Sequence, residues 1–325
     1  MTVDKLATLR ELLRGYGSCL VAYSGGVDSV FLAFVARRVL GERALAVIAD
    51  SPSLPRRELE EALEIGRRFD IPVRVVHTQE FNNPAYLANP NNRCYFCKHE
   101  LFTELAPLAR REGFAVIVYG ENASDIADFR PGGLAAAEFQ VRAPLKEAGL
   151  TKAEIRELSA QFGLPTADKP QMACLSSRIP HGEAVTLEKL ALIERAESVL
   201  RELGFYDVRV RHHELRSTSV VEGGPPGAST VRHLARIEVG PDELRKFLAD
   251  GINQRVVAEL KQAGYTHVTL DLGGYRRASG NESHQETKFS SGRWQDAPHS
   301  ASSRADGLGT DVAGQSQAAG TARAS

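Results

Sequence analysis

The first 120 residues alternate between short apolar runs and helix-like stretches, and this alternation constrains the fold more than any other feature of the chain. Strands that alternate with helices form a parallel sheet with helices on both of its faces. The runs are continuously apolar, which is typical of strands covered on both sides. The sequence therefore predicts an α/β fold around a parallel sheet. The predicted strands cover residues 19–23, 44–49, 73–77 and 115–119, and the predicted helices cover residues 30–40, 56–69 and 95–111.

The pattern changes near residue 186. Thr151 and Glu154 have the spacing of a capping box, which predicts a helix that ends near residue 162. Further on, alternating apolar and polar residues predict a smaller α+β domain with a half-exposed sheet. Its predicted helices cover residues 187–203, 242–249 and 253–264, and its predicted strands cover 208–212, 233–239 and 267–272. We expect domains at residues 1–185 and 186–279, and a disordered tail at 280–325, which has too few large apolar side chains for a core.

The charges of the chain are almost balanced, with 40 Lys and Arg against 41 Asp and Glu. This balance argues against a strongly basic surface and therefore against nucleic acid as a partner. No stretch approaches the roughly 20 apolar residues of a membrane span, and the charged N-terminus does not resemble a secretory signal. We expect a cytoplasmic protein without a membrane partner. In a reducing compartment, its four cysteines favour metal binding or catalysis over disulfides, although Cys19 lies in a predicted core strand.

A glycine-rich turn directly follows the first predicted strand and opens the next helix. Gly25 and Gly26 allow a ligand to approach the backbone, and the start of the helix offers N–H groups to an anion. Ser24 and Ser29 add hydroxyl groups for phosphate oxygens. The turn lacks the lysine of a Walker A loop and does not match the dinucleotide fingerprint. Asp28 inside such a loop indicates a bound Mg²⁺ or a role in orienting the amides.

Two further strand ends carry polar residues that we expect at the same edge of the sheet. Asp50 follows the second strand, where an adenine or ribose contact is expected. Gly120 and Asp125 follow the fourth strand, and both Asp125 and Asp128 are candidates for metal or ribose binding. For each of these acidic residues taken singly, a structural role as a helix N-cap is about as well supported.

Three cysteines lie in polar segments and form a possible sulfur or metal site. Cys94 and Cys97 form a C-x-x-C motif, and Cys174 lies far along the chain. Three thiolates suit an iron–sulfur cluster, and on a four-iron cluster they leave one iron open for a sulfide or a substrate. Zinc needs a fourth ligand, for which His99 and His181 are near in sequence. The remaining alternatives are a redox pair and three unlinked thiols.

Six motifs occur in an order that resembles the LarE family of ATP-dependent sulfur transferases in nickel-pincer cofactor synthesis. The motifs are SGGVDS (24–29), NRCYFCK (92–98), DFRPG (128–132), ACLSSRIPHG (173–182), VRVRHH (208–213) and VTLDLGGYR (268–276). The first motif alone resembles the PP-loop of ATP pyrophosphatases. The resemblance implies a Rossmann-like PP-loop ATPase domain, a smaller C-terminal domain, use of ATP and Mg²⁺, and assembly as a homohexamer.

The resemblance also implies a reaction. In the family, ATP adenylates a carboxylate of pyridinium-3,5-biscarboxylic acid mononucleotide, and sulfur then replaces AMP to give a thiocarboxylate. Members with three cysteines hold a [4Fe-4S] cluster that carries sulfide, whereas members with one cysteine give up its sulfur. The residues Cys94, Cys97 and Cys174 match the first type, which requires a sulfide donor; sacrificial transfer from Cys174 is the alternative. A PP-loop tRNA thiolase, an amidating synthetase and a regulatory nucleotide-binding protein are the rival functions.

The phosphate of a mononucleotide substrate needs basic side chains. Arg209 and Arg211 alternate on a predicted strand, point to the same face, and match the phosphate-binding pair of the family. Their alternative is a pair of solvated arginines. Ser177 and Arg178 adjoin Cys174 and are candidates for orienting substrate or AMP, and Glu197 matches a family position near the phosphate or metal.

Overall fold

The computed structural model describes residues 2–127, 131–171, 173–217, 230–249 and 251–275. Its N-terminal part contains a four-stranded parallel sheet in the order β3-β2-β1-β4. The predicted α/β fold and all four predicted strands are confirmed, with ends that shift by one residue at most. The strands are β1 (Cys19–Ala22), β2 (Ala44–Asp50), β3 (Val73–His77) and β4 (Val116–Tyr119).

Helices cover both faces of this sheet, which explains why its central strands are apolar throughout. In β1, Cys19 and Val21 face a core built with α1, α2, α3 and α8, whereas Leu20 faces a second core built with α5 and α6. The edge strand β3 departs from the expected burial on both sides, because Arg74 and Val75 are exposed. The helices are α1 (Thr2–Tyr16), α2 (Val27–Leu40), α3 (Arg56–Arg68), α4 (Pro84–Leu87), α5 (Arg93–Glu112), α6 (Pro131–Glu138), α7 (Pro144–Glu147) and α8 (Lys152–Gln161).

The capping box that begins α8 is present as predicted. The Thr151 side chain accepts from the backbone N–H of Glu154, and the Glu154 carboxylate accepts from the backbone N–H of Thr151. Lys5 of α1 donates to the same carboxylate at 2.8 Å. The cap therefore also links α8 to α1, which a local pattern does not reveal.

The C-terminal part contains a three-stranded sheet in the order β5-β6-β7, in which β5 and β6 are antiparallel and β6 and β7 are parallel. Helices α9 and α10 contribute to the apolar core of this sheet. The strands β5 and β6 are longer than predicted, and the predicted helix at 242–249 is a 3₁₀ helix, Pro241–Leu248. The other elements are α9 (Leu187–Glu202), β5 (Val208–Ser217), β6 (Thr230–Val239), α10 (Ile252–Ala263) and β7 (His267–Leu270).

A smaller apolar cluster spans the predicted boundary at residue 186. It joins Tyr86 to Leu175 and Ile179, and these to Leu190 and Ile193 of α9. The boundary between the first two domains stays a prediction. The predicted tail at 280–325 lies outside the described residues. Within the part of the chain that the structure describes, no helix is both long and apolar enough to cross a membrane.

Candidate active site

The turn after β1 forms a compact loop at the carboxyl edge of the sheet. The Ser29 hydroxyl accepts the backbone N–H of Ser24 at 3.1 Å and donates to the carbonyl of Gly26 at 3.1 Å. Gly26 is the N-cap residue of α2, and among the described residues no side chain caps this helix. The first N–H groups of α2 therefore remain available to an anion, as the sequence predicts.

Two glycines allow this loop to pack closely. Gly25 has φ +71°, and a Cβ added there would lie 2.7 Å from the Cβ of Ala62 on α3. A Cβ on Gly120, after β4, would lie 3.0 Å from the backbone nitrogen of Ser29 and 3.1 Å from the Cβ of Asp28. The sequence identified both glycines, but their close contacts depend on how α3 and β4 are placed.

Two lysines from distant segments approach the loop. Lys152, the first residue of α8, donates to one oxygen of Asp28 at 2.6 Å, while the other oxygen, Oδ1, is buried without a hydrogen-bond partner. Burial raises the pKa of Asp28, although the Lys152 ammonium acts in the opposite direction. Lys169 lies 3.5 Å from the carbonyl oxygen of Gly25 and forms an ion pair with Glu58 at 2.7 Å. Two lysine ammonium groups therefore lie beside this loop without a Walker A motif, and each is paired with acidic side chains.

The acidic residues at the other strand ends have protein partners. Asp50 pairs with Arg56, and His77 lies 3.6 Å from its second oxygen. Asp125 accepts the backbone N–H of Asn122 at 3.1 Å and is an electrostatic neighbour of Asp28. Asp125 therefore lies near the loop. It is the third residue of the 3₁₀ helix Ala123–Ala127, so it does not occupy the N-cap position that we considered as its alternative. Asp128 lies outside the described residues.

The three predicted sulfur residues come from two segments that meet. Cys94 and Cys97 lie in the first turn of α5, and Cys174 immediately precedes a 3₁₀ helix, Leu175–Arg178. Arg93, which is buried, connects the two segments. Its guanidinium donates to the carbonyl of Ser176 at 3.0 Å and lies 3.8 Å from the sulfur of Cys174. None of the four cysteines of the chain forms a disulfide.

The three thiols do not form a preformed site for a single metal ion. Among the described residues, their sulfur atoms do not form a group within 4.8 Å of one another. Three thiolates on one tetrahedral zinc ion lie about 3.8 Å apart, given Zn–S bonds of about 2.3 Å. In an iron–sulfur cluster each thiolate binds a different iron, so a wider spacing is required. The ring of His99 contacts the rings of Tyr95 and Phe139, and its Nε2 lies 4.0 Å from a carboxylate oxygen of Glu138.

Burial and negative charge dominate the surroundings of Cys97. Burial raises the pKa of its thiol, and Cys174, Glu80 and Cys94 raise it further, while Arg93 acts in the opposite direction. Glu80 is only 1% exposed, and neither of its carboxylate oxygens has a hydrogen-bond partner. Because Cys94, Cys174 and Glu80 all raise the pKa of Cys97, the three cysteines and Glu80 lie in one region.

Three buried hydroxyl groups connect the segment around Cys174 (residues 169–178, the Cys174 segment) to the loop after β2. The Ser53 hydroxyl lies 2.7 Å from the Ser176 hydroxyl, and the Tyr86 hydroxyl lies 2.5 Å from the first and 2.9 Å from the second. The backbone N–H of Leu175 donates to the carbonyl of Ser53 at 2.8 Å. Since β1 and β2 are neighbours, these bonds hold Cys174 at the same edge of the sheet as the phosphate loop.

The two arginines predicted to bind phosphate, Arg209 and Arg211, form hydrogen bonds with other groups of the protein. Arg209 is 2% exposed and donates to the carbonyls of Val208 and Gln171 at 2.8 Å. Arg211 is more accessible; it donates to the carbonyl of Ser177 at 2.8 Å and to Glu238 at 3.0 Å. Both arginines lie on one face of β5, as the sequence predicts. Arg211 is the one that combines access to solvent with a contact to the Cys174 segment.

Arg178 and Glu197 form an ion pair with no exposure of either side chain. Arg178 also donates to the carbonyls of Ala173 and Cys174, at 2.6 and 3.0 Å, and to the Ser177 hydroxyl at 2.9 Å. The predicted roles of Arg178 in orienting substrate or AMP, and of Glu197 near the phosphate or metal, stay predictions; in this structure both side chains have protein partners. Both are positioning residues that fix the Cys174 segment against α9, because their polar atoms are satisfied inside the protein.

Sequence reasoning missed five residues of this site: Lys152, Lys169, Arg93, Glu80 and Tyr86. Only Arg93 carried a local signal, since it adjoins the C-x-x-C motif. The others are ordinary charged or aromatic residues in sequence, and the tertiary contacts alone bring them to the loop or the cysteines.

Comparison with known proteins extends this description. No family model matches the chain. An uncharacterized protein of Synechocystis sp. is 43% identical over 276 residues, which are 85% of this chain and 96% of the relative. A GMP synthase of Thermomicrobium roseum is 27% identical over 60% of this chain and 41% of the relative, which agrees with the fold class. The pyridinium-3,5-bisthiocarboxylic acid mononucleotide synthase of Lactiplantibacillus plantarum is 31% identical over 86% of this chain and 94% of the relative. Given 31% identity over 86% of this chain and 94% of the relative, the chain belongs to the family of this synthase, the LarE family.

Proposed function

We propose that this protein is an ATP-dependent sulfur transferase that converts carboxylates of pyridinium-3,5-biscarboxylic acid mononucleotide into thiocarboxylates. The segment from Lys169 to Arg178 carries the proposal. At the start of this segment, Lys169 contacts the carbonyl oxygen of Gly25 in the phosphate loop. Cys174 follows, and the carbonyl of Ser177 then accepts a hydrogen bond from Arg211. This continuity supports a site where a nucleotide, a sulfur group and a substrate phosphate meet.

ATP would bind with its phosphates at the start of α2. The N–H groups of the loop and the ammonium groups of Lys152 and Lys169 would balance the negative charge of the departing pyrophosphate. The buried, unpartnered Oδ1 of Asp28 fits a Mg²⁺ ion, because carboxylate oxygen is a preferred ligand of this ion. When bound, Mg²⁺ supplies charge neutralisation of the phosphates.

The sulfur group would be held by Cys94, Cys97 and Cys174. Their chemistry fits a [4Fe-4S] cluster, because cysteine thiolates are the usual ligands of such clusters. When bound, this cluster supplies an iron without a protein ligand, at which a sulfide can be carried. The cysteines must lose their protons to bind iron, so cluster loading should weaken as pH falls.

The reaction balances as two substitutions. A carboxylate oxygen of the substrate attacks the α-phosphorus of ATP, and the bond to pyrophosphate breaks, which leaves an acyl adenylate. The sulfur of a hydrosulfide then attacks the acyl carbon, and the bond to the AMP oxygen breaks. The hydrosulfide proton is released, and the products are a thiocarboxylate and AMP. Adenylation is required because AMP is a far better leaving group than oxide.

The proposal is tested by incubating the purified protein anaerobically with the biscarboxylate mononucleotide, MgATP and sulfide. Mass spectrometry should detect AMP and the thiocarboxylate in equal amounts, and more than one turnover per protein. The absorption of the reconstituted protein should show an iron–sulfur cluster. Cys174→Ser and Cys97→Ser should abolish thiocarboxylate formation, whereas Cys19→Ala, in the core of β1, should retain it.

Other outcomes would contradict parts of the proposal. A single turnover without a cluster, with a loss of about 34 Da from the protein, would show sacrificial transfer from Cys174. Product formation with ammonium instead of sulfide would indicate an amidating synthetase, the class to which the GMP synthase relative belongs by name. Unchanged activity of the Cys97→Ser variant would exclude the cluster.

The partners in this proposal are the mononucleotide and a sulfide donor, and the proposed location is the cytoplasm. The homohexamer implied by the family resemblance also stays a prediction, which light scattering of the purified protein can test.

A further inference from the structure

The two faces of β5 have different surroundings. Arg209 and Arg211 point toward the Cys174 segment, whereas Val208 and Val210 point into the core with α9 and α10. Two residues further along this second face, the apolar series ends and His212 follows. The second face therefore changes from apolar to polar while it is still buried.

Three potential metal ligands lie together at this point. His212 and Glu214 are two residues apart on β5 and share a face, and His233 of β6 is the direct cross-strand partner of Glu214. One nitrogen of each histidine and one carboxylate oxygen all lie within 4.8 Å of one another. This grouping results from the register of the β5–β6 pair, and the sequence does not reveal it.

Both histidines have a nitrogen that lacks a partner. His212 is fully buried, and its Nε2 has no hydrogen-bond partner, nor does Nδ1 of the half-buried His233. The other nitrogen of His212, Nδ1, lies 3.4 Å from the hydroxyl of Tyr265. When Nδ1 donates to that hydroxyl, Nε2 carries a lone pair. Metal-binding histidines are commonly oriented in this way by a bond from their second nitrogen.

We propose that His212, Glu214 and His233 bind a divalent transition-metal ion of the zinc class. Two imidazoles and one carboxylate are an established donor set for zinc with a fourth position open. If the three atoms lie at the limit of 4.8 Å, each needs to move inward by about 0.7 Å to reach bonds of about 2.1 Å. Small side-chain rotations achieve a movement of this size.

Two positive groups compete with a bound cation. Lys189 lies 2.9 Å from one oxygen of Glu214 and Arg216 lies 3.3 Å from the other, so a metal must displace one of them. Arg216 is 73% exposed and can turn into solvent, which makes its oxygen the easier one to free. Glu183 is an electrostatic neighbour of Glu214, and its Oε2 is buried without a partner. Once Arg216 has turned away, Glu183 and Glu214 leave a net negative charge beside Lys189 for the metal.

A metal at this position would connect β5 to β6 near the end of their pairing. It would stabilise the C-terminal sheet, because a ligand that binds only the folded chain shifts the unfolding equilibrium. This role does not depend on the proposed sulfur transfer, since the three ligands lie on the face of β5 opposite to Arg211.

The test uses metal-free protein titrated with Zn²⁺ and with Co²⁺, whose visible absorption reports tetrahedral coordination. Since the cysteines also bind metals, the titration is repeated with the triple variant Cys94→Ser, Cys97→Ser and Cys174→Ser. This variant should bind one Co²⁺ without the absorption bands of cobalt–thiolate bonds. His233→Gln in the same background should weaken binding by at least about 100-fold, and Tyr265→Phe by about 10-fold.

His213→Gln is the matched control. His213 adjoins His212, is half-buried, and also has an unpartnered Nε2, but it lies on the opposite face of β5. Zn²⁺ should raise the melting temperature of the triple variant and of its His213→Gln derivative, and not that of its His233→Gln derivative. Absence of a binding site in the triple variant, or equal affinities of the two histidine variants, would overturn the proposal. A failure of sulfur transfer would leave these outcomes unaffected.

Discussion

Replacement of Gly25 in the phosphate loop (residues 24–29) by alanine should destabilise the folded protein through two effects. The first effect is conformational, because φ is +71° and a left-handed conformation costs a non-glycine residue about 1–2 kcal/mol. The second is steric, because the new Cβ would lie 2.7 Å from the Cβ of Ala62. Overpacking of a close contact typically costs about 1–3 kcal/mol. We therefore expect Gly25→Ala to lower the free energy of unfolding by about 2–5 kcal/mol.

Gly17→Ala is the matched control for the conformational effect. Gly17 has φ +74°, but a Cβ added there would meet nothing within 4 Å. This variant should lose only the conformational part, about 1–2 kcal/mol. Urea unfolding, followed by circular dichroism, gives both values. Isothermal titration should further show weaker binding of ATP by Gly25→Ala, because the loop must move away from α3, and unchanged binding by Gly17→Ala.

A double variant tests the steric explanation directly. Ala62→Gly removes the atom that the new Cβ would meet, and by itself it costs about 1 kcal/mol as a glycine within α3. If the reasoning is correct, Gly25→Ala combined with Ala62→Gly is less destabilised than the sum of the two single variants. Additive effects, or equal losses in Gly25→Ala and Gly17→Ala, would refute the close contact between the loop and α3.

Three further predictions concern the segments that support the site. Arg178→Met should lower the free energy of unfolding by about 3 kcal/mol in urea denaturation, because the carboxylate of Glu197 stays buried and loses its ion pair with Arg178. Adding Glu197→Leu should recover part of this loss, because it removes the buried charge. Tyr86→Phe should cost about 1–2 kcal/mol by the same measurement and should slow thiocarboxylate formation, since a buried hydroxyl bond to the Cys174 segment is lost. Hydrogen bonds from Lys5 and from the backbone of residue 151 lower the pKa of Glu154 to about 2, so its stabilising effect is complete above pH 4.5 and is lost as pH falls toward 2. A carboxyl NMR titration measures this pKa, and the acid loss of stability should be smaller in Glu154→Gln.

Controls for the first two of these variants are available on the surface. Arg142 forms an ion pair with Glu147 in which both side chains are partly exposed, so Arg142→Met should cost no more than about 1 kcal/mol. Tyr206 is 66% exposed, and Tyr206→Phe should leave stability unchanged. Effects of equal size in the buried and exposed variants would contradict the assignment of Arg178 and Tyr86 to the support of the Cys174 segment.

The site combines two kinds of residue that differ in how they are held. The N–H groups of the phosphate loop are fixed by the chain itself, since a strand leads into the loop and a helix follows it. Around Cys174 the described residues form only a short 3₁₀ helix, which is held by Arg178 from within and by three side chains of other segments, Arg93, Tyr86 and Arg211. We therefore expect activity to be more sensitive than folding to substitutions around Cys174.

The sequence by itself determined the fold class, the position of the phosphate loop and the family. These properties are local or are carried by ordered motifs: apolar runs of strand length, glycines after β1, and six motifs in sequence order. The 31% identity to the Lactiplantibacillus plantarum synthase confirms the family. The exposed side of β3 was not foreseen, because the apolar run does not reveal which strand lies at the edge of the sheet.

Tertiary structure alone decided which side chains meet. Lys152 and Lys169 lie more than 120 residues from the loop that they approach, and the β5–β6 register alone places His233 opposite Glu214. It also decided that Arg178, Glu197 and Arg209 are buried, which their residue types and positions in the sequence do not reveal. The physical reason is that burial and pairing depend on the packing of distant segments, and residue type and local spacing contain no information about that packing.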